Sequence, residues 1–442
     1  MPEMNTRFIR LGIDYGTSTS KLVFRDPLAP GGEKAYVIFR DGSFRIPSSI
    51  AFTGRELIFG CAPEQHTDLR TVTWFQSVKM RVAGEVTGRY EKFCYGPLPR
   101  LPEGFTAEEL AALSVWFLIS EAEKAVCQHL GLPQERVKLS VTLGIPMNFF
   151  EHETLRKTFL RIARFARKLH EEYGQLVDGA FALSDARELI RKCSESPEDL
   201  AVRDGDVRNW IRPESEAAMC PTVKSPAVSE GPYAEVDVGA GTSHATYFSI
   251  LPTFRGQRWL KERLCFYGTR SEAVGMDAID AALAAHKHLP KEECLHLRGQ
   301  ERAVIAQVGK GAINDVLDKI RENYVLAWRP AVQRLRPTPP ELEKFRNHDV
   351  FVIGGGSLVP EVKQVLQTHP DGYEHRLRLR DLGVPNDLFR TDMRQVSSSE
   401  MPFLSVAYGL TYDAAELPRT YTPDQIPPGP PPRGRRLDWE EM

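Results

Sequence analysis

Two short segments carry residue types suited to phosphate chemistry. They are Ile13-Asp14-Tyr15-Gly16-Thr17-Ser18 and Val236-Asp237-Val238-Gly239-Ala240-Gly241-Thr242-Ser243. Each runs from an apolar stretch through one aspartate into a glycine turn with hydroxyl residues. A phosphate tail needs backbone N–H groups converging on its oxygens, and glycines let the main chain come close and adopt left-handed dihedrals. The hydroxyls of Thr17, Ser18 and Thr242 would add hydrogen bonds. Mg²⁺ keeps several waters, so one or two carboxylates at strand ends suffice to hold it. Asp14 and Asp237 are placed for that role. A third turn, Gly354-Gly355-Gly356-Ser357, follows an apolar strand and precedes a helix; such a turn lets adenine and ribose lie against bare backbone.

Taken singly, a DxGT turn also reads as an ordinary hairpin, and GGGS as a loop. Three in this order, two of them near-duplicates, point to a nucleotide. Other phosphate signatures are absent. Gly309-Lys310-Gly311 does not make a GxxxxGK[ST] loop, and Gly239-Ala240-Gly241 lacks the third glycine of a dinucleotide fingerprint.

The elements that must position these residues follow from periodicity. Strands are expected at Phe8–Asp14, Lys21–Arg25, Lys34–Arg40 and Ser43–Phe52, the last two joined by Asp41-Gly42. Thr106 to Leu130 reads as a helix opened by a Thr106/Glu109 capping box. Arg136–Ile145 reads as a strand and Glu151–Tyr173 as an amphipathic helix. Residues 184–229 read as an irregular connection. The opening pattern then returns in strands at Tyr233–Val238 and His244–Ile250. Helices at Met276–His288 and Glu301–Trp328, a strand at Asp349–Ile353, a helix from Pro360 and a final helix at Ser405–Ala415 complete the series. Pro423–Arg436 is proline-rich and is not expected to pack. The recurrence implies two similar α/β lobes facing one cleft. The expected divisions are lobe I at 1–225, lobe II at 226–415, and a disordered tail at 416–442.

The 442 residues are enough for two or three domains, and 42% hydrophobic with 26% charged residues exclude wholesale disorder, a coiled coil and a collagenous chain. A net charge of −2 gives no basic excess, so nucleic acid is not expected as the primary ligand. The N-terminus has no apolar stretch long enough for a signal peptide, and Leu110–Ile119 is too short to span a bilayer. Seven scattered cysteines without a CxxC pair fit reduced thiols in a cytoplasmic protein that uses no membrane.

From about Leu11 to Ala415 the chain resembles the actin and heat-shock ATPase superfamily, and is most similar to the nucleotide-binding domain of heat-shock protein 70 (DnaK-type) chaperones. Gly12–Ser18 and Asp237–Thr242 resemble its two phosphate motifs, and Gly354–Pro360 its adenosine motif. Arg45–Phe52 resembles the strand after the first phosphate motif. Ser77-Val78-Lys79-Met80-Arg81 resembles the segment bearing the catalytic lysine, and Pro213–Ala218 the Glu-Pro-x-Ala-Ala connection, with Glu214 matching its glutamate. Gly275–Asp280 resembles the Gly-Gly-x-Asp-Phe-Asp helix start, and Ser405–Gly409 the last helix.

The resemblance implies an actin-like (ribonuclease H-like) two-lobed α/β ATPase fold with a central nucleotide cleft, binding ATP/ADP and Mg²⁺. It implies that Lys79 orients the attacking water, that Glu214 and Asp237 hold Mg²⁺-bound waters, that Thr242 bonds the γ-phosphate and that Asp14 sits beside the metal. Gly16, Thr17, Ser18, Gly239, Ala240, Gly241, Gly275, Lys310, Gly354, Gly355, Gly356 and Ser357 complete the nucleotide set. Ser215 replaces the family's proline, and Ala240 replaces a glycine. Only Glu416–Met442 follows the ATPase core, so the β-sandwich peptide domain and helical lid are not expected. The function implied is a slow ATP switch that signals to a partner protein by lobe rotation. An ATP-dependent actin-like polymer and a small-molecule kinase are the alternatives on the same fold.

Other clusters carry weaker signals. His286, His288, Cys294 and His296 match no standard zinc spacing. Arg156, Lys157, Arg161, Arg164, Arg167 and Lys168 read as the charged outer face of a packed helix. Arg376, Arg378 and Arg380 read as a solvated strand face, and Pro427–Arg433 as a polyproline segment or a loose end.

Overall fold

The structure is a computed structural model that describes residues 6–62, 72–90, 99–176, 179–194, 207–224, 228–255, 258–288, 301–335, 343, 345–368 and 377–426. The chain is mixed α/β and divides into two compact units: residues 1–219 with 384–416, and residues 220–383 with 417–442.

The strands of the first unit are β1 (Arg7–Asp14), β2 (Thr19–Asp26), β3 (Lys34–Val37), β4 (Ile46–Pro47), β5 (Ile50–Phe52), β6 (Glu56–Phe59), β7 (Thr73–Phe75), β8 (Val137–Ile145), β9 (Ala180–Ala182) and β10 (Ile211–Pro213). In the second unit they are β11 (Gly231–Val238), β12 (Ser243–Arg255), β13 (Arg258–Glu272), β14 (Asp349–Ile353) and β15 (Arg378–Arg380). The late strand β16 (Leu388–Arg390) belongs to the first unit, and β17 (Arg419–Tyr421) to the second.

The main sheet of the first unit runs β10-β8-β1-β2-β3-β16, with β4 beside β2; that of the second runs β15-β14-β11-β12-β13-β17. In the first, β2 runs antiparallel to both β1 and β3, β8 and β10 lie parallel on the far side of β1, and β16 lies parallel to β3. In the second, β11, β12 and β13 are antiparallel, β14 and β15 lie parallel beyond β11, and β17 lies parallel to β13. Strand for strand, order and direction are the same. The repetition seen at Asp14 and Asp237 thus extends to a whole sheet. A second sheet in the first unit, β7-β5-β6-β9, has no counterpart among the described residues of the second unit.

The helix Ala107–Leu130 starts at the expected capping box. Glu109 N donates to Thr106 Oγ1 at 3.2 Å, and Thr106 N donates to Glu109 Oε2 at 2.7 Å. It is apolar almost all round and lies buried against Glu153–Tyr173 in the first core. The latter helix carries its basic face in ion pairs: Lys157 with Glu153, Arg161 with Glu108, Arg167 with Glu171 and Lys168 with Glu172. The second core gathers around Tyr247, Tyr324 and Trp328, with helix Asn314–Leu335 laid on the sheet.

Several boundaries depart from expectation. Residues 384–415, expected in the second lobe, belong to the first unit, because β16 pairs with β3 and helix Met401–Leu410 packs on β1. A Cβ on Gly12 would stand 2.1 Å from Ala407 O, so the helix rests on bare backbone there. Pro402 in the first turn starts that helix before Ser405. The expected helix 301–328 is two helices, Glu301–Val308 and Asn314–Leu335, parted at Gly309, whose φ is 84°. The helix expected from Glu151 is likewise interrupted, with Met147–Glu151 after Pro146 and a new start at Glu153. The tail is ordered at its start. β17 pairs with β13, and Pro423–Gln425 forms a 3₁₀ turn in which Thr422 N donates to Gln425 Oε1 at 3.1 Å. Residues 427–442 lie outside the described residues.

Candidate functional site

In the first unit three parallel strands, β1, β8 and β10, end side by side, and Asp14, Pro146 and Glu214 stand at those ends. Ligands of α/β sheets gather at such carboxyl ends. Asp14 is 7% exposed. The turn after it is tight: Gly16 N donates to Asp14 O at 3.1 Å, and a Cβ on Gly16 would lie 2.2 Å from Thr19 O. Thr17 and Ser18 are half-buried. Residues 45–52 brace the hairpin, because Thr19 and Ser20 pair with Pro47 and Ile46. Ser48 N donates to Ser18 O at 2.9 Å, and the Ser20 and Ser48 hydroxyls lie 2.7 Å apart.

Lys79 is in the first turn of helix Val78–Thr87 and only 3% exposed; it is ion-paired with Glu214. Ser77, two residues before it, takes a left-handed backbone (φ 56°, ψ 35°), which a non-glycine residue adopts at a cost. Glu214 opens the helix Glu214–Lys224, where the dipole favours an acid. Burial raises its pKa; the Lys79 ammonium opposes that shift and the Asp14 carboxylate adds to it. The lysine and glutamate that resemblance singled out, 135 positions apart in sequence, are thus in contact.

Sequence reasoning missed Lys21. In the β1–β2 register Asp14 faces Lys21, and Lys21 Nζ stands 3.1 Å from Asp14 Oδ2. Six residues, Tyr15 to Ser20, separate the two, and Thr19 and Ser20 pair with β4 instead, so the pairing follows from the register of the two antiparallel strands.

In the second unit Asp237, half-buried at the end of β11, faces His244 across the hairpin. Gly239 N donates to Thr242 O at 2.9 Å. Met276 N donates to Gly239 O (2.9 Å) and Asp277 N to Ala240 O (2.8 Å), so helix Met276–His286 starts on this turn. A Cβ on Gly275 would lie 2.5 Å from Ala240 O. Ala240 has no positive φ, so alanine costs nothing there. Gly354 does, at 71°, and a Cβ on it would lie 2.2 Å from Asp237 Oδ1. Gly356 packs as closely on Val238, while Gly355 faces Met276. Ser357 Oγ donates to Gly354 O at 2.7 Å. Close approach, more than left-handed backbone, is therefore what these glycines supply. Gly241 and Thr242 are half-buried in the turn. Lys310 is exposed on the 3₁₀ turn Lys310–Ile313.

His244 and Asn323 also escaped notice. His244 Nδ1 lies 2.5 Å from Ser271 Oγ and Nε2 lies 2.8 Å from Thr246 Oγ1. Asn323 Nδ2 donates to Ser243 O and Oγ, both at 2.9 Å, and ties the start of β12 to helix Asn314–Leu335.

The donor set of the first unit fits Mg²⁺ poorly, since both carboxylates already face ammonium groups. In the second unit Asp237 stands against Gly354, its Oδ1 2.2 Å from where a Cβ there would be. Among the described residues no three His, Cys, Asp or Glu side chains cluster as a metal site. Cys294 and His296 lie outside the described residues, as does Arg376. Arg378 and Arg380 pair with Asp349 at 2.7 and 2.6 Å. Of the five described cysteines, Cys61, Cys193, Cys220 and Cys265 are buried and Cys127 is half-buried. No described helix is long and apolar enough to cross a membrane.

No protein-family model matches the chain, and no curated protein is significantly similar to it.

Proposed function

We propose that the chain is an actin-like ATPase of the heat-shock protein 70 type: it binds ATP, hydrolyses it slowly and passes its nucleotide state to a partner protein. The observation that carries this reading is the duplicated sheet, with an aspartate and a glycine turn at the same strand end in each copy. A two-lobed ATPase with one phosphate hairpin per lobe requires that repetition. Neither a lone hairpin nor a lone glycine loop would produce it.

Hydrolysis on this reading is attack of water on the γ-phosphorus with release of ADP, a reaction governed by positioning and charge neutralisation. Lys79 would hold the water and offset developing charge. Glu214, whose pKa burial raises, would take the water's proton. Thr242 and the turn N–H groups of both hairpins would hold phosphate oxygens. Mg²⁺ would arrive with ATP and shield its β- and γ-phosphates, with Asp237 facing it.

A ligand that binds only the folded state stabilises it. Saturating ATP with Mg²⁺ is expected to raise Tm by about 5 °C or more. Asp237→Lys, which puts a cation where the phosphate-borne Mg²⁺ would sit, is expected to lose that rise. No shift with ATP, ADP or GTP in a thermal scan of the unsubstituted chain would remove the reading.

A further inference from the structure

Every carboxylate of the first-unit site is already matched by a lysine. Lys21 Nζ is 3.1 Å from Asp14 Oδ2, with the two side chains 13% and 10% exposed. Glu214 is matched in the same way by Lys79. The four charges sum to zero and influence one another, since Asp14, Lys21 and Lys79 all act on Glu214. The Lys21 ammonium is also at the turn itself, 3.4 Å from where a Cβ of Gly16 would stand. A divalent cation bound directly by Asp14 would have to displace this ammonium or sit beside it, like charge against like charge.

We infer that Asp14 is the counter-ion of Lys21 and not a metal ligand, and that Lys21 supplies at this hairpin the positive charge toward an anionic ligand. The inference rests on the reading of the hairpin as a polyphosphate site and adds how that site is neutralised. Mg²⁺ then reaches the site only on the phosphates that Asp237 would face, and the first hairpin holds none of it. Removing the Asp14 charge leaves Lys21 wholly available to phosphate and strengthens binding, where loss of a metal ligand would weaken it.

The test is calorimetric titration of the full chain with ATP in Mg²⁺ and in EDTA. Chelation is expected to weaken binding in the unsubstituted chain by no more than about 10-fold beyond its effect on Asp14→Asn, because residue 14 holds no Mg²⁺ in either. Asp14→Asn is expected to tighten ATP binding in EDTA by about 10-fold, and Lys21→Met to weaken it there by about 100-fold, with a smaller loss in Mg²⁺. Should Lys21→Met not fold because Asp14 is left unpaired, the neutral double variant Lys21→Met/Asp14→Asn must show the same weakening in EDTA. Asp14→Asn that binds ATP more weakly in Mg²⁺ overturns the inference and leaves the nucleotide reading standing. Titration with Mn²⁺ alone, followed by electron paramagnetic resonance, gives an arm free of nucleotide. A Mn²⁺ site present in the unsubstituted chain and lost in Asp14→Asn overturns the inference; equal Mn²⁺ binding by the two supports it. Failure of ATP to bind under either condition overturns the nucleotide reading and this inference with it.

Discussion

Lys79→Ala is expected to retain ATP binding while hydrolysis slows by about two orders of magnitude, the loss typical of one charge aimed at the reacting centre. An interaction made mainly in the transition state lowers kcat with little change in ground-state affinity. The structure adds a second effect. Lys79 is buried against Glu214, so alanine leaves a largely buried carboxylate without its lysine. Breaking such a pair costs about 3–5 kcal/mol near neutral pH. The cost should depend on pH, with a sign set by Glu214. Burial holds its folded-state pKa above the ordinary carboxylate value, and Lys79 works against that rise. A raised pKa means that the folded state gains from protonation below the ordinary carboxylate range and loses that gain as pH climbs through the raised value. Without Lys79 the pKa climbs further, so the deficit relative to the unsubstituted chain should be widest near about pH 8 and should shrink toward about pH 5. Glu214→Gln in the same background should recover much of it. Denaturant melts at both pH values, with single-turnover rates alongside, read out the two effects. A normal rate would take the catalytic role from Lys79, and a pH-independent deficit would show that Glu214 is not its source.

How much of this was legible beforehand depends on how far apart the interacting residues are. The Thr106/Glu109 cap acts over one helical turn, and its two residue types announce it. The Asp14 and Asp237 turns are also local, and their likeness anticipated the duplicated sheet. What escaped notice depends on pairing. Lys21 is an ordinary strand lysine until the hairpin register sets it opposite Asp14. The return of Leu388–Arg390 to β3 joins segments some 350 residues apart, and no local pattern encodes it. Some misses were readable. Pro402 at a helix start and Gly309 between two helical stretches are local punctuation. The left-handed Ser77 had no compositional signal, because serine has no special preference for that region; tertiary packing imposes it.

Gly354→Ala is expected to be strongly destabilising in the second unit, and a control isolates the reason. At φ 71° an alanine pays about 1–2 kcal/mol for its left-handed backbone. Its Cβ would also lie 2.2 Å from Asp237 Oδ1 and 2.7 Å from Val238 O, the latter a backbone atom that cannot swing aside. Relieving such a contact typically costs a further 1–3 kcal/mol or so, for a total of about 2–5 kcal/mol. Gly309 has a similar φ of 84° but nothing within 4 Å of its Cβ position, so Gly309→Ala should pay only the backbone term. Equilibrium denaturation should show Gly354→Ala clearly less stable than Gly309→Ala. Because β14 ends at Ile353, faster amide exchange should concentrate along Asp349–Ile353 and its neighbour β11. The substitution also pushes on Asp237, so the ATP-dependent rise in Tm should vanish in Gly354→Ala and persist in Gly309→Ala. Equal stability losses in the two variants would mean that the turn relaxes away from Asp237 at little cost. The close approach of the third glycine turn to the Asp237 hairpin would then not be what holds that end of the second sheet in place.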